Sequence, residues 1–293
     1  PSTWVSDFNS YLQGITVMSS QVKKILIDNG VCLPIQVTSL GLDHINETKN
    51  NNDFHVNAKK FKILHISSCF PRKGIDILLR AFGDNFTKDD DISLIIKTFD
   101  NPHNKIDELL RDFRDEYPLY PDVILIKKEL EDDEVKSLYL QSDVLVAPSR
   151  GEGFGLPIAE AMLFELPVIT TNWGGQLDFC DHNNSWLVDY EFVSSNSHFN
   201  LDLSYWVEPS STDLGKKILE VFHASKAEIK IKTTLAKESI SNLKWSQVAD
   251  FNLTFIKDIL SKYINLPLRI GWVTTWNTRC GIASYSRHLI EYF

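Results

Sequence analysis

The sequence predicts an α/β protein built on a Rossmann-like, doubly wound parallel sheet, and three observations point there. From about residue 61 onward, strand-like and helix-like segments alternate, the order required by a parallel sheet covered by helices on both faces. A buried-strand pattern, Asp143-Val-Leu-Val-Ala-Pro148, runs directly into a glycine-containing turn and a helix start. With 293 residues, 43% hydrophobic and 24% charged, the chain can bury a full core and is too long for one small domain.

The elements follow in order. Asn46–Lys60 is polar and Asn-rich, the composition of a solvated connector. Phe61–Ile66 is the first strand of the sheet and Ile75–Phe82 its helix. Ile92–Lys97 is the next strand, followed by an amphipathic helix from Pro102 to about Phe113. Val123–Ile126 is the third strand. Glu131-Asp-Asp-Glu134 places acids at a helix start, and that helix runs to about Gln141. Val144–Ala147 precedes the glycine turn, and Pro167–Thr170 and Ser185–Val188 complete the sheet. Helices are expected at 211–224, 226–241 and 246–262. Leu268–Val273 reads as a new strand, and Thr275–Ala283 leads into a helix at Tyr285–Tyr292. No complete internal repeat is present.

Composition excludes several classes. A net charge of −9 and a pI near 5.4, with no long Lys/Arg stripe, argue against a nucleic-acid or anionic-membrane surface. Cys32, Cys69, Cys180 and Cys280 are far apart and form no Cys-x-x-Cys pair, which fits reduced thiols in a cytoplasmic compartment and disfavours zinc. No apolar run approaches the roughly 18 residues of a membrane span. Pro1 starts no signal peptide, and with no initiating Met the chain reads as a piece of something longer. Asp89-Asp-Asp91 precedes a strand instead of following one, so it reads as a solvated loop. No His pair has metal-ligand spacing, and neither a Gly-x-Ser-x-Gly elbow nor a Walker lysine pattern occurs. A dinucleotide fold would need Gly-x-Gly-x-x-Gly where this chain has Ser67-Ser-Cys-Phe-Pro71.

The most informative stretch is Ser149-Arg-Gly-Glu-Gly-Phe-Gly-Leu-Pro-Ile-Ala-Glu-Ala-Met162. Pro157 suits a first helical turn, where its missing N–H costs nothing, so the amides of Gly153, Phe154, Gly155 and Leu156 are left near a positive helix end. That is a phosphate seat. Glu160 sits about one turn inside the helix, and helical side chains lean toward the N-terminus, so its carboxylate reaches the mouth that Glu152 borders. A carboxylate there can accept both vicinal hydroxyls of a ribose whose phosphates the amides hold.

Two acids at this spacing, with Gly-Phe-Gly-Leu-Pro between them, resemble the signature of retaining GT-B glycosyltransferases of the GT4, or group 1, family. The resemblance implies a nucleotide-sugar domain at 61–245, preceded by a connector at 46–60 and, at 1–45, by the end of a GT-B N-terminal domain and its link, with Ile15–Ser20 as the closing strand, Gln21–Asn29 as the closing helix and Gln36–Asp43 as the link. A crossover helix at 246–265 and the start of a further N-terminal-type domain at 266–293 follow. It implies that the full protein is a tandem transferase or one whose pieces are joined in permuted order. Ser67-Ser-Cys-Phe-Pro-Arg-Lys-Gly74 follows the first strand of the domain, and the lysine of such Arg-Lys-Gly segments contacts the donor's distal phosphate. Lys73 takes that part here, with Arg72 assisting. Many relatives carry an arginine six residues before this lysine, where this chain has Ser67, which offers a hydroxyl and no charge.

Lys97, at the end of the second strand, either points toward the site mouth as a lesser donor-binding position or lies on the surface; after the third strand, at Lys128 and Leu130, the resemblance implies that the base is read through backbone groups. Trp173-Gly-Gly175 either lines the sugar pocket or turns the chain. The implied activity is transfer of a sugar with retention, mannose from GDP-mannose being one expectation, to a saccharide or lipid-linked saccharide in polysaccharide biosynthesis. Glu152 is expected to touch the sugar and Glu160 the ribose. No metal or other cofactor is expected, nor a nucleic-acid partner; peripheral membrane association through domains outside the chain is a further expectation. Two other functions stay open: a non-catalytic module of the same fold, and a sugar-nucleotide epimerase or phosphorylase. The isolated piece is expected to be inactive.

Overall fold

The computed structural model describes residues 2–195 and 204–262. In chain order the elements are α1 (Ser2–Tyr11), β1 (Ile15–Val17), α2 (Ser20–Asp28), β2 (Ile35–Val37), α3 (Asp43–Glu47), β3 (Phe61–Ile66), α4 (Ile75–Asn85), β4 (Ile92–Lys97), α5 (Ile106–Glu116) and β5 (Asp122–Ile126). Then come α6 (Asp132–Gln141), β6 (Val144–Ala147), α7 (Leu156–Leu163), β7 (Val168–Thr171), β8 (Trp186–Val188), β9 (Tyr190–Ser194), β10 (Tyr205–Pro209), α8 (Ser211–His223), α9 (Lys226–Ser239) and α10 (Trp245–Ser261). The strand expected at 268–273 and the helix expected at 285–292 lie outside the described residues.

Contacts divide the chain into two compact units. The first comprises Pro1–His44, Gly153–Leu156 and the described part of Asn242–Phe293. In it β1 and β2 pair in parallel, Ile15 opposite Ile35 and Val17 opposite Val37. Val5, Val17, Val31 and Ile35 make a small core against Trp4, Phe8 and Leu26. Ser19 caps α2 by accepting the Val22 N–H at 3.2 Å. The Trp245 backbone N–H donates to Asp43 at 3.0 Å, and its indole N–H donates to His44 at 3.1 Å.

The second unit, Ile45–Glu152 and Pro157–Ser241, holds the large sheet. Six strands run in the order β5-β4-β3-β6-β7-β8, every pair parallel. Parallel strands buried on both faces carry continuous apolar runs, and β4 is buried from Ile92 to Ile96. On one face Ile63, Leu94, Ile96, Val144, Val146 and Ile169 pack with Leu78, Leu79 and Phe82 of α4, Ile106, Leu110 and Phe113 of α5, and Leu214 and Ile218 of α8. The alternating residues Leu64, Ile95 and Leu145 are equally buried on the other face, where α6 packs against β3. Glu131 and Glu134 form a reciprocal capping box at the start of α6, the structural use of the acid run.

Three features differ from expectation. The helix placed at Pro102 begins at Ile106, because Asn101 and Asn104 accept the N–H groups of His103 and Ile106 and make turns there. Helix α1 and the antiparallel pair β9–β10 were not anticipated. Each strand of that pair is half-exposed, and their register joins Tyr190 with Pro209 and Ser194 with Tyr205 across an intervening segment. Asp89–Asp91 is a turn: Asp90 accepts from Thr87, and Asp91 from the Lys60 N–H.

Candidate functional site

The strand order reverses direction between β3 and β6: the chain builds outward through β4 and β5, then returns to the far side of β3. In open α/β sheets ligands bind at this reversal, beyond the carboxyl ends of the strands. Two loops leave the sheet there, 67–74 after β3 and 148–155 after β6. Pro71–Lys73 forms a 3₁₀ turn closed by Gly74 at φ 66°, a left-handed conformation that suits glycine. A Cβ on Gly74 would stand 2.0 Å from the Pro148 carbonyl oxygen. The third residue of Arg-Lys-Gly is therefore a close-approach glycine that lets the two loops touch. Main-chain and side-chain bonds stitch the contact: the Arg150 N–H donates to the Arg72 carbonyl at 2.7 Å, and the Arg72 guanidinium donates to the Gly151 carbonyl at 3.0 Å.

This arrangement sets Lys73 against Glu152. The ammonium donates a hydrogen bond to Glu152 Oε1, Ser149 Oγ donates to the same oxygen at 3.0 Å, and Arg72 lies 3.8 Å from Oε2. The side chains of Lys73 and Glu152 retain 13% and 11% of their exposure. Burial by itself raises the Glu152 pKa, but the Lys73 and Arg72 charges and the hydrogen bonds from Lys73 and Ser149 outweigh it and hold the carboxyl below its usual range. Glu152 is therefore an ionised, acceptor-only group at neutral pH. Its carbonyl also accepts the Gly175 N–H at 2.9 Å, which brings the Trp173-Gly-Gly175 turn to the same place. Trp173 in turn packs edge-on against Phe192 of β9 at 5.0 Å.

Glu160 is buried in α7, and Tyr139 of α6, itself buried, donates its hydroxyl to Glu160 Oε2 at 2.7 Å. Burial and the neighbouring carboxylate both raise the Tyr139 phenol, so it stays a donor. Gly153–Leu156 groups with the first unit; within it Gly155 takes φ 89°, Phe154 is buried, and Leu156 opens α7 with Pro157 behind it.

The remaining sequence-derived positions fare differently. Ser67 is engaged inside the chain. His65 Nδ1 faces the Val146 carbonyl at 2.8 Å, which can only accept, so Nδ1 carries the proton and Nε2 accepts from Ser67 Oγ at 2.8 Å. The same Oγ accepts the Cys69 N–H at 3.0 Å. Burial pushes the His65 pKa down to about 4, so the ring is neutral. Lys97 is half-buried and donates to the Thr98 carbonyl at 2.9 Å; burial lowers its pKa, with Glu129 opposing. Lys128 is exposed, paired with Glu134 at 3.0 Å and placed over the Phe54 ring at 5.0 Å, so it does not join Lys73 and Glu152. Leu130 lies half-buried in the loop after β5. Among the described residues no group of three His, Cys, Asp or Glu side chains is placed to hold a metal ion.

Sequence reasoning missed the parts played by Tyr139 and Arg150. Arg150 is 6% exposed and spans the loop after β3, α4 and β10 through Pro71, Asp76 and Glu208. An arginine inside the motif was the available signal.

Residues 46–197, a little more than half of the chain, match the family described as "Glycosyl transferases group 1". The chain belongs to this family. Solved structures show the same GT-B fold. Sucrose-phosphate synthase from Thermosynechococcus elongatus is 18% identical with a TM-score of 0.69, the alignment covering 89% of this chain and 63% of that one. A glycosyltransferase from Rickettsia africae is 20% identical, also at 0.69, covering 89% and 68%. HepE from Anabaena, solved in complex with UDP and glucose, is 19% identical at 0.69, covering 89% and 66%. The chain thus spans about two thirds of the length of these proteins. No curated protein sequence matches it. For this group 1 chain the family match contains Lys73, Glu152 and Glu160 together.

Proposed function

We propose that this group 1 chain binds the nucleotide-sugar donor of a retaining glycosyltransferase of the GT4 type. The observation that carries the reading is the Lys73–Glu152 pair, fixed where the strand order of the sheet reverses. Lys73, with Arg72 beside it, supplies positive charge for the diphosphate that leaves during transfer. Glu152 is ionised and can only accept, so its complement is a hydroxyl-bearing sugar and not a phosphate. Glu160, whose Oε2 accepts the Tyr139 hydroxyl, is the group that accepts the ribose hydroxyls in this reading. Fixed cations do the work that a metal does elsewhere, so no metal is required. The reading extends to mannose from GDP-mannose as donor and to a saccharide or lipid-linked saccharide as acceptor, in cytoplasmic polysaccharide synthesis; the solved Anabaena relative, bound to UDP and glucose, makes UDP the alternative nucleotide.

A second reading has one observation in its favour. Ser67, where many relatives carry an arginine, spends its hydroxyl on His65 and Cys69, so one phosphate contact is missing, as in a non-catalytic module. Calorimetric titration with GDP, UDP and ADP separates the two. A donor-binding chain prefers one of the three; a scaffold binds none. In the same assay Glu160→Ala should weaken the preferred nucleotide by about 1–3 kcal/mol, the worth of a charged acceptor lost from the ribose. Unchanged affinity would remove Glu160 from the site.

A further inference from the structure

Arg150 lies inside the motif without touching anything outside the fold. A guanidinium has five N–H groups in a fixed plane, and here each has an acceptor. Nη1 donates to the Pro71 carbonyl at 2.6 Å and to Asp76 Oδ1 at 2.8 Å. Nη2 donates to Asp76 Oδ2 and Glu208 Oε1, both at 2.7 Å. Nε donates to Glu208 Oε2 at 2.6 Å. The Trp206 ring lies 5.2 Å beneath the guanidinium carbon. No donor is left for a ligand, and the side chain is buried.

What the five bonds hold is specific. Pro71 opens the 3₁₀ turn that carries Arg72 and Lys73, and Asp76 lies in the first turn of α4, directly after Gly74. The backbone of Arg150 repeats the grip: its N–H donates to the Arg72 carbonyl at 2.7 Å, and its carbonyl accepts the Val207 N–H at 3.3 Å. Arg150 therefore grips both sides of Lys73 in sequence while standing two residues before Glu152. Bidentate pairing makes both grips directional, where a lysine would offer a point charge.

We propose that Arg150 is a positioning residue of the donor site, acting through Pro71 and Asp76 to hold the Lys73 ammonium where it meets the distal phosphate. This rests on the donor-binding reading above. It assigns Asp76 and Glu208 to the same device, so that the β9–β10 pair acts as an outer brace for the phosphate loop. Arg150 touches no ligand and contributes by fixing the distance between Lys73 and Glu152.

The test compares nucleoside diphosphate with nucleoside monophosphate affinity, by calorimetry on the full chain, for whichever of guanine, uracil or adenine binds best. A residue that merely stabilised the fold would weaken both ligands alike; one that positions Lys73 weakens the diphosphate selectively. Arg150→Lys should reduce the diphosphate-over-monophosphate preference by roughly tenfold, the worth of one misplaced charged contact. In a Lys73→Ala background, Arg150→Lys should produce no further loss of that preference. Should Arg150→Lys fail to fold, Asp76→Asn loosens the same grip at a part-exposed site and should shift the preference in the same direction. Equal weakening of both ligands in the folded variant, or full additivity with Lys73→Ala, overturns the positioning role while leaving nucleotide binding standing. A wild-type chain that binds no nucleotide overturns both.

Discussion

His65 makes the stability of the large sheet depend on pH. The ring is 1% exposed, donates from Nδ1 to the Val146 carbonyl and accepts at Nε2 from Ser67. A second proton would point at a hydroxyl oxygen that already receives the Cys69 N–H. The folded pKa is about 4, lowered chiefly by burial, against about 6.5 in the unfolded chain. Between those values the unfolded state binds more protons, so stability rises with pH there and is lost as pH falls from about 6.5 toward 4. The full interval corresponds to about 3 kcal/mol, and the part between pH 7.5 and pH 5 to about 2 kcal/mol. Urea unfolding at those two pH values, on the wild type and on His65→Asn, measures it. The other histidines contribute equally to both proteins and cancel. The wild type should lose about 2 kcal/mol more on acidification than the variant. Losses equal to within about 0.5 kcal/mol would refute a neutral, buried His65.

Two more predictions concern the wiring of the site. Gly74→Ala must accommodate both φ 66° and a Cβ placed 2.0 Å from the Pro148 carbonyl oxygen, so it should destabilise by about 2–4 kcal/mol in urea unfolding; a change under about 1 kcal/mol would mean the loops can part without cost. Tyr139→Phe removes the hydroxyl bonded to the buried Glu160 carboxylate and should cost about 1.5–3 kcal/mol by the same measurement, with a stability equal to wild type showing that Glu160 finds its partner elsewhere.

How far these features were legible depended on whether their cause was local. The strands β3, β4 and β6 were legible because a strand buried on both faces is largely apolar, as Ile63-Leu64, Leu94–Ile96 and Val144–Val146 are. The Lys73 and Glu152 loops were legible because each follows such a strand, and the pairing of β3 with β6 put them side by side. Arg150 was not. Its charge partners Asp76 and Glu208 lie 74 and 58 residues away, and no periodicity links them. The Tyr139–Glu160 bond, across 21 residues and two helices, has the same character. The pair β9–β10 escaped because each strand is short, partly exposed and without a regular alternation of apolar and polar residues, so that its pairing, not its composition, makes it a strand. In α1 a signal was present: Trp4 and Phe8, four residues apart, meet edge-on at 5.2 Å.

The charges at the sheet reversal are not explained by the needs of the fold. A mostly buried pair such as Lys73 and Glu152 loses solvation on both partners, and well-packed apolar residues of similar volume serve stability as well or better. Arg150 with Asp76 and Glu208 differs: all five donors are satisfied and three chain segments are joined, so the fold uses that charge fully. Around Lys73 the balance is open. Two cations, Arg72 and Lys73, face one carboxylate, Glu152, which leaves one positive charge uncompensated beside an ionised acceptor. A ligand that is anionic at one end and hydroxylated at the other completes both, whereas phosphate alone would meet the Glu152 carboxylate as a like charge. On the proposed reading, that asymmetry suits a nucleotide sugar better than an inorganic anion at this edge of the sheet.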